Sequence, residues 1–348
     1  MKNVLLTVLL ALFISGTFAQ KTNNYKLIVV AFYNLENYYD TIHNPAVKDE
    51  DFTPNGAMHY TSKIYWDKTE HLAKVISLIG TDIHPGTVDG PALLGVAEIE
   101  NDTVLNDLTH NHFISARKYQ FVHYDSKDAR GIDVALIYNP KYFVVEQSRA
   151  IAVKFPGSKK FFTRDILWVK GKLDGETVSV YVNHWPSRLG GEEKSAPFRK
   201  LAASICKRHI DSIAFADGVQ KVIIMGDFND DPISSSIIDI LGAKEKKETV
   251  KKNGIYNPWI ELFKKGNGTL AFEDTWSLFD QIMLNAPWLN QQQSGYFYKQ
   301  QFIFNREFMI EHIGPYKGYP MRTYDGNNYR GGFSDHFPTY VVLLKKLL

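Results

Sequence analysis

The stretch "KVIIMGDFNDDP", residues 221–232, decides how the rest of the chain is read. Val222 to Met225 form an unbroken apolar run, the pattern of a strand buried on both faces. Gly226 follows, then Asp227, Asn229, Asp230 and Asp231, closed by Pro232. Carboxylates that close repel one another, so something must offset their charge. A solvated Asx turn leading into a helix is one reading. A cation or a phosphate-handling site is the other.

The same grammar recurs along the chain. Asn34 and Glu36 follow "LIVVAFY", Glu98 and Glu100 follow "ALLGVA", and His184 follows "VSVYVN". Asp335 and His336 lie in "GGFSDHFP", just ahead of the last apolar run. In a packed sandwich the ends of central strands converge and form a pocket there. Each cluster alone has a plainer reading: Asn34 as a turn cap, Glu98 as a surface acid, His184 beside Trp185 as a packed ring. Asp280 sits inside the apolar "SLFDQIML", where a carboxylate is costly unless paired, and His336 is its natural partner.

Around these clusters the coarse elements interleave. Strands are expected at 26–37, 91–101, 119–125, 132–140, 144–153, 162–173, 177–188, 221–226, 275–285, 296–305 and 337–347. Asp174-Gly175 makes a hairpin turn. A helix over 66–80 puts Leu72, Val75, Ile76 and Ile79 on one face, and Gly80 ends it. "DTVLNDLT" reads as a short helix capped by Asp102, and 192–214 as a helix interrupted early by Pro197. Residues 40–62 and the Lys-rich 244–256 read as loops. No linker cuts the chain, so residues 20–348 are expected to form a single α/β (α+β) domain. Two mixed, mostly antiparallel sheets should pack face to face with helices outside.

Composition narrows the partners. Forty basic against 38 acidic residues leave a formal charge of +2, so any nucleic-acid surface must be local. Cys206 is the only cysteine, which excludes an internal disulfide. The opening "MKNVLLTVLLALFISGTFAQ" has the basic start, apolar middle and small-residue exit of a secretory signal, with cleavage expected after Ala19. The expectation is an exported protein, periplasmic or extracellular, with no transmembrane segment in the mature chain and no stable protein partner implied.

The residue types suit hydrolysis of a phosphoester. Carboxylates and an amide hold Mg²⁺ without a closed cage. Metal and neutral or positive donors offset phosphoryl charge, and a His held by a carboxylate handles the proton. The sequence resembles the endonuclease/exonuclease/phosphatase superfamily over about residues 26–345. The motifs are Asn34, Glu98, "NHWPSR" with His184, "GDFND", Asp280 and "SDHFP" in that order. "FYNLENYYD", "RGIDVALIY" and "NHWPSRLGGEEKSAPFR" look like its branch of exported bacterial nucleases.

The resemblance implies a DNase I-like four-layered sandwich and a Mg²⁺-dependent (Mn²⁺ possible) hydrolase of nucleic acid. A phospholipid head group, nucleotide or sugar phosphate is the alternative substrate, and a non-catalytic binding module a remoter one. It also implies that Glu98 is the main metal ligand, with Asn34 beside it and Asp335 joining directly or through water. His184 and Asn229 would contact the scissile phosphate, and Asp227 would orient the attacking water or a second metal. His336 would be the base or the stabiliser of the transition state, oriented by Asp280. Arg188 is a phosphate clamp or a surface salt bridge, Arg130 borders the site, and Asp230, Asp231 and Pro232 make the turn. Asp133, beside Arg130, departs from the family's usual small-residue pattern.

Overall fold

In β1 (Tyr25–Tyr38) the alternation of side chains builds two cores at once. Ile28, Val30 and Phe32 point to one face, and Val29, Ala31 and Tyr33 to the other. The computed structural model describes residues 25–83, 89–155 and 162–347. The expected signal segment, 1–19, lies outside them.

After β1 come α1 (Ser62–Leu78), β2 (Pro91–Ile99), α2 (Asp102–His110), β3 (Gln120–His123) and β4 (Asp133–Tyr138). Then follow β5 (Phe143–Ile151), β6 (Ile166–Leu173), β7 (Glu176–His184), α3 (Glu192–Asp217) and β8 (Lys221–Asp227). β9 (Ala243–Lys244), β10 (Ile255–Tyr256), α4 (Trp259–Lys264), β11 (Leu270–Phe272), β12 (Thr275–Ser277) and β13 (Asp280–Asn285) come next. β14 (Phe297–Ile303), β15 (Tyr324–Asp325), β16 (Asn328–Tyr329) and β17 (Thr339–Lys346) close the chain.

One large sheet has the order β14-β17-β1-β2-β4-β3, the other β5-β6-β7-β8-β13-β10-β9. Pairing is antiparallel except at β1–β2, β7–β8 and β9–β10. The sheets pack face to face. Ile28, Val30 and Phe32 of β1 meet Val180 and Val182 of β7, Ile223 and Met225 of β8, and Ile282 of β13. The outer face of the first sheet is covered by Leu72, Val75 and Ile76 of α1 and by Leu105 and Leu108 of α2. On the second, Trp168, Tyr181 and Ile224 lie under Ala203, Cys206 and Ile210 of α3. Each large apolar side chain buried this way contributes about 1.5–3 kcal/mol by leaving water. The result is the expected four-layered sandwich.

Several local expectations are corrected. Asn101, not Asp102, caps α2: its Oδ1 accepts from the N–H groups of Thr103 and Val104. The stretch 275–285 is two strands, because Leu278 and Phe279 turn aside to bond Asp231 and Phe228. Residues 244–256 are not all loop, since two-residue β10 pairs with both β9 and β13. Pro197 does not interrupt α3; Ser195 and Arg199 side chains bond the first-turn carbonyls of Gly191 and Glu192. The Asp174-Gly175 hairpin is as expected, with φ of +46° and +87° closing a two-residue loop.

Candidate active site

The inter-sheet face carries its alternation past the apolar core into polar residues. Ile28, Val30, Phe32 continue to Asn34; Val178, Val180, Val182 to His184; Ile223, Met225 to Asp227; and, read backwards, Leu284 and Ile282 to Asp280. Period-two geometry therefore gathers four polar side chains at one end of the sandwich. Register tightens the group, since His184 pairs with Asp227 and Asp227 with Asp280. Gly226 allows the close approach of β7 and β8, because a Cβ there would strike the carbonyl oxygen of Asn183.

Left-handed backbone redirects the others. Glu98 has φ +62°, Glu36 +49°, Asn37 +50° and Asn229 +48°. Such conformations cost non-glycine residues free energy and concentrate at functional sites. The turn at Glu98 coincides with a register irregularity between Ala97 and Ile99, which swings its carboxylate towards His184.

The hydrogen bonds then set each role. Asp280 Oδ2 lies 2.7 Å from His336 Nδ1 and also accepts from Thr269 Oγ1 at 2.5 Å. The pairing expected for this buried acid is present. With Nδ1 so engaged, His336 turns Nε2 inward, 4.0 Å from Asp227 Oδ2 and 3.9 Å from Asp335 Oδ1. Asp227 accepts from Asn34 Nδ2 at 3.0 Å and from the Asn229 N–H at 2.9 Å. His184 Nε2 lies 3.6 Å from Asp227 Oδ2 and 3.7 Å from Glu98 Oε1. Asn229 Nδ2 donates to the Trp185 carbonyl at 2.9 Å.

Electrostatics follow from burial and crowding. Burial, with Asp280 and Glu98 nearby, raises the pKa of Asp227 to about 6 against the opposing pull of His336 and the Asn229 N–H. Burial disfavours the charged form of His336, but Asp280, Asp335 and Asp227 outweigh it and hold its pKa well above the ordinary value. His184 goes the other way: burial, then Arg164, Arg130 and His336, push its pKa far down. The Nε2 of His184 faces the two carboxylates. Its buried Nδ1 has no hydrogen-bond partner among the described residues, which costs less for a lone pair than for an N–H.

The donors available to a metal are hard oxygens. Glu98 Oε2 accepts the Asn37 N–H at 2.9 Å, leaving Oε1 towards the site. Asn34 Oδ1 accepts the Glu36 N–H at 2.9 Å and retains a second lone pair. Asp335 is partly exposed, with Arg322 at 3.9 Å. Donors of this kind suit a divalent cation. Asp227, Asp280 and His336 also cluster at metal-binding distance. Asp280 is already committed to His336 and Thr269, however, while Asp227 stands 4.0 Å from His336 Nε2, beyond hydrogen-bonding reach.

The guanidinium of Arg188 is committed within the protein. It donates to the Asn229 carbonyl at 3.0 Å, to Glu192 at 2.9 Å and to Asp231 at 3.0 Å, and lies over the Phe279 ring. These contacts brace the Asn229 turn and make the salt bridges that were one of its two readings. Arg130 sits at the rim, half-exposed, with its charge felt by His184. Asp230 and Asp231 do more than turn the chain. Buried Asp230 binds Arg199 and Ser236, and Asp231 accepts the Leu278 N–H as well as Arg188.

Some groups escaped the sequence reading. Buried Lys68 donates to Thr323 Oγ1 at 2.6 Å, and Glu36 accepts the Thr323 N–H at 2.7 Å. Burial first, then Asp335, raises Glu36 to about 7 against the pull of Lys68. Lys68 shares a helical face with Leu72 and Val75, so its charge on an apolar stripe was a visible signal. Thr269 and Arg164, which ties Asp128 to the Trp185 carbonyl, carried no such mark.

A family model described as the endonuclease/exonuclease/phosphatase family matches residues 29–345. Among solved structures, a family protein of that description from Bacteroides thetaiotaomicron is similar at 16% identity, with a TM-score of 0.57, covering 93% of this chain and 100% of its own. A Bacteroides thetaiotaomicron mannosyl-6-phosphatase gives 16% identity and a TM-score of 0.55, over 91% of this chain and 99% of its own. D. rerio TDP2 complexed with a single-strand DNA product gives 13% and 0.53, over 91% and 98%. None of the curated proteins matches this sequence. At such identities the solved structures establish a shared fold, while the family match spans nearly the whole described chain. The chain belongs to the endonuclease/exonuclease/phosphatase family, a family of phosphoric ester hydrolases.

Proposed function

We propose that this chain is an exported, Mg²⁺-dependent phosphodiesterase that hydrolyses nucleic acid by attack of water on phosphorus. One observation carries the reading. The oxygen donors Glu98, Asn34 and Asp335 lie around a buried Asp280–His336 pair and the Asp227 carboxylate. Glu98, Asn34 and Asp335 would hold a divalent ion, which would supply Lewis-acid charge to the phosphoryl oxygens.

The chain's own groups divide the remaining work. Asp227, with its pKa near 6, is a carboxylate at neutral pH and takes the proton of the attacking water. His336 keeps its proton, so it acts as a charged donor to the developing phosphorane rather than as the base. Neutral His184 donates through Nε2, and Asn229 has one amide N–H left beside its bond to Trp185. Asp280 fixes the tautomer and the aim of His336.

A second reading keeps the chemistry and changes the substrate to a small phosphoester. It rests on a cavity of about 210 Å³ beside Asp335, lined among others by Glu36, Tyr60, Lys68, Arg322 and Tyr324. That volume suits a sugar or nucleoside better than a duplex.

The test is the purified mature protein against plasmid DNA, RNA, a simple phosphodiester and a phosphomonoester, with and without EDTA. Polynucleotide cleavage that vanishes with EDTA and returns with Mg²⁺ or Mn²⁺ is expected. Glu98→Ala should remove most of it while leaving the melting temperature near wild type. Cleavage of the monoester alone moves the assignment to the second reading, and full activity in metal-free buffer overturns the metal. Export rests on the basic and apolar pattern of residues 1–19. Protein recovered outside the cytoplasm should begin at Gln20; a chain beginning at Met1 there counts against it.

A further inference from the structure

At the edge of the first sheet, away from the inter-sheet face, β3 ends in His123 and β4 begins with Asp133. The side chain of His123 is only 3% exposed, yet it is surrounded by acids. Its Nδ1 lies 2.8 Å from Asp102 Oδ1, on the first turn of α2. Its Nε2 faces Asp133 Oδ2 at 3.6 Å and Asp125 Oδ1 at 3.9 Å. That nitrogen is buried and has no hydrogen-bond partner among the described residues. Asp133 is itself buried, its other oxygen accepting the Ser126 N–H at 3.0 Å.

Such a cluster gathers negative charge around one buried ring nitrogen, with Asp133 buried and Asp102 and Asp125 facing solvent. With Nδ1–H donated to Asp102, a neutral ring turns a lone pair at two carboxylates. A charged ring still leaves three acids around one positive charge and an Nε2–H too far from either oxygen to bond well. We infer that His123 Nε2, Asp125 and Asp133 form a second cation site, for a divalent ion that accepts nitrogen and oxygen ligands, with Zn²⁺ the best match. Donors around a tetrahedral Zn²⁺ with bonds of about 2.0–2.1 Å lie roughly 3.3–3.4 Å apart. The three donor atoms here lie within 4.8 Å of one another, so side-chain rotation, chiefly of exposed Asp125, would bring them to that spacing. Water completes the coordination. Asp102 is the outer carboxylate that orients a metal-binding His through its other nitrogen. A nitrogen ligand sets this site apart from the all-oxygen set at Glu98, which suits Mg²⁺.

The site would staple the loop between β3 and β4. That loop holds Arg130 at the rim, and through Asp128 and Arg164 it reaches the Trp185 carbonyl, next to His184. A metal on His123 would hold in place a segment on which the active site leans, with no part in the chemistry. The inference does not rest on the function proposed above, because it is read without substrate.

The experiment strips full-length mature protein with chelator and loads it with Zn²⁺ in excess Mg²⁺. After desalting, retained zinc is measured by mass spectrometry. Wild type should hold one zinc per chain more than His123→Gln and Asp125→Asn, and Glu98→Gln should hold as much as wild type. Asp102→Asn should weaken retention about 10–100-fold in affinity. Zinc should raise the melting temperature of wild type but not of Asp125→Asn. Asp125 is exposed, so its variant reports even if His123→Gln folds poorly. Wild-type zinc content in Asp125→Asn, or loss of zinc in Glu98→Gln instead, overturns the site.

Discussion

At the scale of single residues, the Asp280–His336 pair shows how burial turns a liability into function. Asp280 is fully buried at the head of β13, register partner of a second acid, Asp227. Unpaired, it would cost several kcal/mol, about the penalty for stranding a buried charge. His336 and Thr269 offset part of that cost through Oδ2, Oδ1 having no hydrogen-bond partner among the described residues, and in exchange the imidazole is aimed. The pair should act as a unit. His336→Ala should lower kcat by ~10² or more, Asp280→Asn by a large part of that, and the double variant should be little worse than His336→Ala. If the two losses multiply, the residues work independently. The pKa of Asp227 makes a second prediction. As pH rises through about 6 the buried carboxyl loses its proton and becomes a base, so kcat/KM should climb across that range. A limb at the ordinary carboxylate value of about 4 would show that Asp227 is not the base.

At the scale of elements, the site depends on how two parallel strands approach. β7 and β8 run side by side with His184 opposite Asp227, and Gly226 lies against the backbone of Asn183. Gly226→Ala would drive a methyl group into the Asn183 carbonyl and its Cβ, the latter at 2.7 Å. Overpacking of this kind costs about 1–3 kcal/mol. The melting temperature should fall, and kcat should fall further than stability alone explains, because both catalytic side chains are displaced. An alanine enzyme with wild-type kcat would show that the strands can part without moving the site. Loop elements are braced in the same spirit. Arg199 of α3, fully buried, holds Asp230, and Arg188 holds Asp231 and the Asn229 carbonyl. The acid-rich turn is thus neutralised mostly by arginines from the far side of "NHWPSRLGG" and from α3.

At the scale of the whole molecule, stability comes from the sandwich rather than from covalent links. Cys206 is free and wholly buried between α3 and the second sheet, and burial pushes its thiol pKa up. A thiol reagent should therefore label it only as fast as the protein unfolds globally, and reductant should leave the melting temperature unchanged. Rapid labelling in native buffer would mean that α3 lifts locally. Among the described residues no helix is long and apolar enough to cross a membrane.

What the sequence determined by itself was everything carried by periodicity and motif. Alternating apolar residues specify strands and their buried faces, and the polar residues that continue the same alternation specify which end holds the site. Asn34, His184, Asp227 and Asp280 lie where strands run into polar residues, and His336 was legible from "SDHFP" and as the natural partner of Asp280. Tertiary structure alone decided where charges are spent. Arg188 could clamp a phosphate or form a surface salt bridge on sequence grounds, and only the folded chain shows its three protein partners. The break at Leu278–Phe279 and the Thr323 bridge between Glu36 and Lys68 likewise join residues far apart in the chain. Local pattern records which face a residue takes. It does not record which distant group will stand opposite, because that depends on loops whose paths are set by packing and by the need to satisfy most buried polar atoms.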